Sequence, residues 1–266
     1  MESISRKTIK SGNASAVVLP KAWLDKRVRV ELADKTPEII LSDVLEIVKS
    51  SMDVSDIMGI YLAGSYARGE QTNASDVDIL IISGKTDRES IKKDNYEIMI
   101  ISLELLSYKL NENLLPIGPM LHEAVPLLNK NLLKEIKITV NKKNVQWYLE
   151  TTKDRLNIIK SSIDRIEKIK PDGKLSDIIA YSLILRLRTL YMIDCLKNNR
   201  RYHGYEFIRL IKKISGSLMA YDRYVYAKNN QDNQRELSLE EGKRLYSYLG
   251  DYLQKITRLI NQKHNI

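Results

Sequence analysis

Gly64-Ser65-Tyr66-Ala67-Arg68-Gly69-Glu70-Gln71-Thr72-Asn73-Ala74-Ser75-Asp76-Val77-Asp78 runs directly into the apolar stretch Ile79-Leu80-Ile81-Ile82. The apolar stretch predicts a buried strand. Alternation along a strand then puts the carboxylates of Asp76 and Asp78 on one face. Paired oxygen ligands suit Mg²⁺, an ion usually shared with substrate phosphates. Ten residues separate Ser65 from Asp76. A small Gly-Ser turn at that distance lets backbone amides approach a phosphate closely. Together these residues read as the parts of a nucleotide-transfer site.

Outward from this stretch, Met58 to Ala63 predicts a short buried strand leading into Gly64, and residues 66–72 predict the start of a helix. Val77 to Ile82 and Tyr96 to Ile101 predict further strands, with a short polar helix over Arg88 to Lys93 between them. Helices are expected at 40–51 with Ser42 as cap, at Leu103 to Leu110, and at Met120 to Leu128 with Pro126 within or ending it. Asn129 to Lys137 then closes this unit. Upstream, strands are expected at Ser5 to Lys10, Ala16 to Leu19 and Arg27 to Leu32, with a turn at Ser11-Gly12-Asn13 and a helical turn at Lys21 to Leu24.

From about residue 144 apolar residues recur at three- and four-residue spacing: Trp147, Leu149, Leu156, Ile159, Ile163 and Ile166. Pro171-Asp172-Gly173 predicts a turn. Further helices are expected over Leu175 to Leu196, Tyr205 to Ile214 and Leu218 to Tyr226, followed by a polar loop over Lys228 to Glu236. Ser238 with Glu241 three residues on forms the capping box of a last helix to about Gln262. The pattern predicts an antiparallel helical bundle.

The formal net charge is +9, unevenly spread. Residues 1–34 hold seven Lys/Arg against four Asp/Glu, residues 35–142 twelve against sixteen, and residues 143–266 twenty-four against fourteen. The acidic middle contains the proposed metal ligands, and the basic last third can face a polyanion or be a solvated helical surface. The single cysteine, Cys195, excludes an internal disulfide and lies in an apolar helical stretch, where a buried inert thiol is expected. No apolar run approaches the ~18 residues of a membrane span. Met-Glu-Ser-Ile-Ser-Arg-Lys at the N-terminus does not read as a signal peptide, so a cytoplasmic protein without a membrane partner is expected. His122, His203 and His264 are too widely spaced for a zinc site.

Gly64-Ser65, Arg68-Gly69 and Ser75-Asp76-Val77-Asp78 resemble the signature of the DNA polymerase β-type nucleotidyltransferase superfamily, nearest to its minimal nucleotidyltransferases and more distantly to kanamycin nucleotidyltransferase. The resemblance implies an α/β (α+β) fold with a mixed sheet. It also implies Mg²⁺-dependent transfer of a nucleoside monophosphate from an NTP, ATP in particular, to a hydroxyl of a protein, RNA or small molecule. Asp76 and Asp78 would hold two Mg²⁺ ions. Gly64 and Ser65 would hold the β- and γ-phosphates. Arg68 would touch the phosphates, or else steady the helix and loop, or pair with a neighbouring carboxylate. The superfamily's third carboxylate, a metal ligand or base, is assigned to Glu97, with Asp94 as the alternative. His122 and Glu123 fall in a region that neighbours the site in related enzymes.

Gly12 to Lys21 resembles an AbrB/SpoVT-type swapped hairpin, implying a homodimer and either DNA binding through Arg6, Lys7, Lys10 and Lys21 or dimerisation alone. Helical HEPN domains often accompany minimal nucleotidyltransferases. Their ribonuclease motif needs an arginine at 196–198 ahead of His203, and those positions are Leu196, Lys197 and Asn198. The expected organisation is a hairpin unit (1–34), a nucleotidyltransferase domain (35–142) and an acceptor-binding helical bundle (143–266). The rival reading is a non-catalytic DNA-binding regulator, or an antitoxin-like protein, that uses the same fold as a scaffold.

Overall fold

Along the chain, a hairpin of β1 (Ile9–Ser11) and β2 (Ala14–Ala16) and a 3₁₀ turn at Lys21–Trp23 precede α1 (Pro37–Val48). The sheet unit follows: β3 (Ile57–Ala63), α2 (Gly64–Arg68), β4 (Val77–Ser83), β5 (Arg88–Lys93), β6 (Tyr96–Ser102), α3 (Leu103–Glu112), α4 (Gly118–Glu123), β7 (Val125–Leu128) and α5 (Lys130–Glu135). The last part contains α6 (Lys142–Ile169), β8 (Lys174–Leu175), α7 (Asp177–Lys197), α8 (Gly204–Ser215), α9 (Met219–Lys228), β9 (Leu237–Ser238) and α10 (Leu239–Asn261). This computed structural model describes residues 4, 6, 8–30, 35–72, 75–170, 173–228 and 237–262.

The five strands lie in the order β5-β6-β4-β3-β7, with β4 and β6 parallel and the other pairs antiparallel. The central strands are nearly continuous apolar runs because both of their faces are covered. Val77, Ile79 and Ile81 of β4 join Ile60, Leu62, Ile98 and Ile100 in a core under α1. Leu80 and Ile82 join Tyr61, Ile101, Leu106 and Leu121 in a second core under α3 and α4. Asp76 and Asp78 share the parity of Leu80 and Ile82, and Glu97 that of Met99 and Ile101. Asp78 and Glu97 therefore sit on the α3/α4 face, at one end of its core, and Asp76 lies just before β4.

Several elements differ from expectation. Arg88–Lys93 is an edge strand rather than a polar helix, held by pairing such as Ile91 opposite Ile98 that outweighs its local preference. Residues 120–128 divide into α4 and the edge strand β7. An edge strand tolerates Pro126, which cannot donate to a ladder. α1 starts earlier than expected, with the Thr36 hydroxyl accepting from the Ile39 amide and Pro37 at the first turn. The hairpin strands are shorter and shifted. Arg27 to Val30 form no strand, and Glu31 and Leu32 lie outside the described residues. So do Lys7 of the expected basic face, Pro171 and Asp172 of the expected turn, 229–236 of the polar loop, and His264.

The helical part has its own core, in which Leu156, Ile159 and Ile163 of α6 meet Leu183, Ile184 and Leu187 of α7 and Leu245, Leu249 and Ile256 of α10. Ser238 and Glu241 form the expected capping box at the start of α10. No described residue from 4 to 30 is buried, and Val18, Leu24 and Val30 are exposed there. Among the described residues no helix is long and apolar enough to cross a membrane.

Candidate active site

β3 delivers its last residue, Ala63, directly opposite Asp78 on β4, and Asp78 in turn lies opposite Glu97 on β6. Gly64 leaves the strand with φ +63°, a left-handed backbone that glycine adopts without strain. A Cβ placed on Gly64 would collide with the Asp78 carboxylate, so the glycine is needed for space as well as for conformation. α2 starts here and stops at Gly69, also left-handed at φ +71°. The turn at Gly64 thus brings Ser65 beside the strand end that holds the carboxylates.

Asp76 is exposed, Asp78 is half-buried, and Glu97 stands at the edge with Lys92 Nζ 3.3 Å from its Oε1 and the Ser90 hydroxyl at 3.4 Å. Burial is the largest influence on Asp78 and raises its pKa above the ordinary carboxylate range. The negative charges of Glu97, Glu123 and Asp76 push the same way, and Arg68 opposes them. Like charges drawn together at a strand end are a donor set that a divalent cation relieves. No group of three or more His, Cys, Asp or Glu among the described residues closes around a single point. Mg²⁺ commonly takes one or two carboxylates and completes its shell with water and phosphate oxygens, and Asp76 and Asp78 supply such a pair. The chemistry of the residues present therefore fits the ion.

Arg68 is held at both edges of its guanidinium. Its Nε donates to Glu70 Oε2 at 2.9 Å and its Nη1 to Glu123 Oε2 at 2.6 Å. Glu123, only 8% exposed, also accepts from the Gly64 amide at 2.7 Å. Glu70 accepts from the Gly204 amide at 3.0 Å, with His203 Nδ1 at 3.5 Å. Arg201 donates to the Ala67 carbonyl, and Tyr202 lies with its ring centre 5.3 Å from Arg68 Cζ. Arg201 to Gly204, the end of the α7–α8 connection and the first residue of α8, therefore rest on α2 and the two residues after it.

Glu123 was named by sequence only as a neighbour of the site. The signal that singles it out is its isolation, since it is the one carboxylate between Glu112 and Glu135, in an apolar stretch. Asp94 sits in the β5–β6 turn at φ +54°, apart from the Asp78–Glu97 pairing. His122 contacts Asn199 Oδ1 at 3.1 Å and joins no metal-type cluster. Cys195 is buried, and burial pushes its thiol up to about 11.

Residues 41–144 match the family model described as a nucleotidyltransferase domain. No curated protein matches the chain. Among solved structures the chain is similar to spectinomycin adenyltransferase AAD(9) from Enterococcus faecialis, solved with ATP and spectinomycin, at 13% identity over 80% of this chain and 98% of that one, with a TM-score of 0.41. It is also similar to a nucleotidyltransferase-like protein from Exiguobacterium sibiricum 255-15, at 15% identity over 83% of this chain and 77% of that one, with a TM-score of 0.34. Residues 41–144, which hold Gly64, Asp76, Asp78, Glu97 and Glu123, are thus similar to a nucleotidyltransferase domain.

Proposed function

We propose that the protein transfers a nucleoside monophosphate from an NTP, ATP in particular, to a hydroxyl group, releasing pyrophosphate, with Mg²⁺ as cofactor. The observation that carries this reading is the alignment of Ala63, Asp78 and Glu97 across three adjacent strand ends, with Gly64 packed against the Asp78 carboxylate. The acceptor oxygen forms a bond to the α-phosphorus, the bond from that phosphorus to the pyrophosphate oxygen breaks, and the hydroxyl proton passes to Glu97. Asp76, Asp78 and Glu97 are the residues that would hold two Mg²⁺ ions, which supply charge neutralisation to the triphosphate and acidity to the hydroxyl. Gly64 and Ser65 present backbone and hydroxyl groups to the β- and γ-phosphates. Substituting alanine at both Asp76 and Asp78 is the test, and unchanged NTP turnover would contradict the assignment.

In this reading residues 35–142 carry the chemistry and the helical residues 143–266 select the acceptor, whether RNA, protein or small molecule. Residues 1–34 form a homodimerising unit, which the unburied apolar residues Val18, Leu24 and Val30 support. Arg6, Lys10 and Lys21 then offer phosphate contacts to DNA. A tight complex with labelled DNA that weakens steeply with salt and is lost on removing residues 1–34 would favour the regulator reading over the enzyme.

A further inference from the structure

We propose that Glu123 is a positioning residue that clamps the Gly64–Arg68 turn, so that the affinity for NTP depends on a side chain that touches no substrate. The inference rests on the nucleotidyl-transfer reading above. Both oxygens of Glu123 are already committed, Oε1 to the Gly64 amide and Oε2 to Arg68. A carboxylate engaged in this way is a poor metal ligand and a poor proton acceptor, which separates its role from those of Asp78 and Glu97.

Gly64 is the point where the chain turns from β3 into α2 with a positive φ, and glycine has more freedom at that point than any other residue. The bond from Glu123 to its amide removes that freedom and fixes the direction in which the next peptide, leading to Ser65, presents its groups. The second bond fixes the other end of α2. Arg68 cannot swing because Glu70 holds its opposite edge, and a planar guanidinium can serve two carboxylates in this manner where a lysine ammonium cannot. Burial makes the clamp stiff. Glu123 and Arg68 side chains are 8% and 13% exposed, so each would leave an unpaired charge in a poorly solvated place if the other moved.

The test compares Glu123→Gln, Glu123→Ala and Arg68→Lys with the unaltered full-length protein. Glutamine keeps an oxygen for the Gly64 amide and loses the charge opposite Arg68. We expect the KM for NTP to rise roughly tenfold or more in Glu123→Ala and by less in Glu123→Gln, with a smaller change in kcat, because the clamped turn faces the β- and γ-phosphates rather than the reacting α-phosphorus. Amide exchange over residues 61–70 should quicken in the same order. Arg68→Lys, which leaves Glu123 in place, should raise KM while keeping the Gly64 amide protected. Equal KM values in wild type and both Glu123 variants, or unchanged exchange at Gly64 in Glu123→Ala, would overturn the proposal. If wild type turns over no NTP, the functional reading fails, while the exchange measurement still decides whether the clamp exists.

Discussion

Gly64 and Asp78 share one space. The hydrogen of the glycine leaves the room into which the aspartate carboxylate fits, and any side chain at 64 would have to displace it. Gly64→Ala therefore carries two penalties, about 1–2 kcal/mol for a left-handed backbone and a further cost for moving Asp78. Thermal unfolding should show a clear loss of stability, and NTP turnover should fall by far more than stability alone explains. Turnover close to wild type in a folded Gly64→Ala protein would mean that Asp78 is not held where the chemistry needs it.

Glu70 links α2 to the α7–α8 connection, so its loss should loosen the contact between the Gly64–Arg68 turn and the helical bundle. Burial alone would raise its pKa, but hydrogen bonding and charge from Arg68, with the Gly204 amide and His203, bring it below the usual value of 4.5. A depressed carboxylate stabilises the fold above its unfolded pKa, and that contribution disappears as pH falls through the folded value. The stability difference between wild type and Glu70→Gln should be largest near pH 7 and shrink steadily below pH 4.5. Urea unfolding at a series of pH values checks this, and a constant difference would contradict it.

Asn144 is 1% exposed and satisfies four groups at once. Its side-chain nitrogen donates to the Leu110 and Thr139 carbonyls at 2.8 Å, its oxygen accepts from the Asn141 amide at 3.0 Å, and its own amide donates to Asn141 Oδ1. Asn144→Ala takes a donor from the half-buried Leu110 carbonyl and from the carbonyl of the exposed Thr139, and a polar group left unsatisfied costs about 1–3 kcal/mol when water does not reach it. Chemical denaturation should register a loss of about 1–3 kcal/mol, whereas a loss below about 0.5 kcal/mol would show that water replaces the amide.

Cys195 should be silent to thiol reagents in the native protein. Burial both blocks access and pushes the thiol to about 11, so little thiolate exists at pH 8. A disulfide reagent should label it only after denaturation, and rapid native labelling would show that α7 opens locally.

The central strands were legible because Ile57–Ala63, Val77–Ser83 and Tyr96–Ser102 are buried on both faces and read as apolar runs. The capping box at Ser238 was legible because it is local. β5 and β7 were not. Arg88–Lys93 holds only Ile91 as an apolar residue, and Val125–Leu128 contains a proline, so each is a strand because a neighbour supplies hydrogen bonds. The site divides along the same line. Alternation puts Asp78 on the face of Leu80 and Ile82, and one parallel register places Glu97 beside it. Glu123 comes from another element, brought in by packing of α4, and no local pattern foretells its bond to Gly64.

Transfer of the α-phosphoryl group is the central claim, and parallel reactions with ATP labelled at the α- or γ-position, Mg²⁺ and cell extract test it most directly. The account predicts that α-label becomes attached to an acceptor, that γ-label leaves as pyrophosphate, and that both events vanish in the Asp76→Ala/Asp78→Ala protein. Transfer of γ-label to the acceptor, or undiminished α-labelling by the double variant, would contradict it.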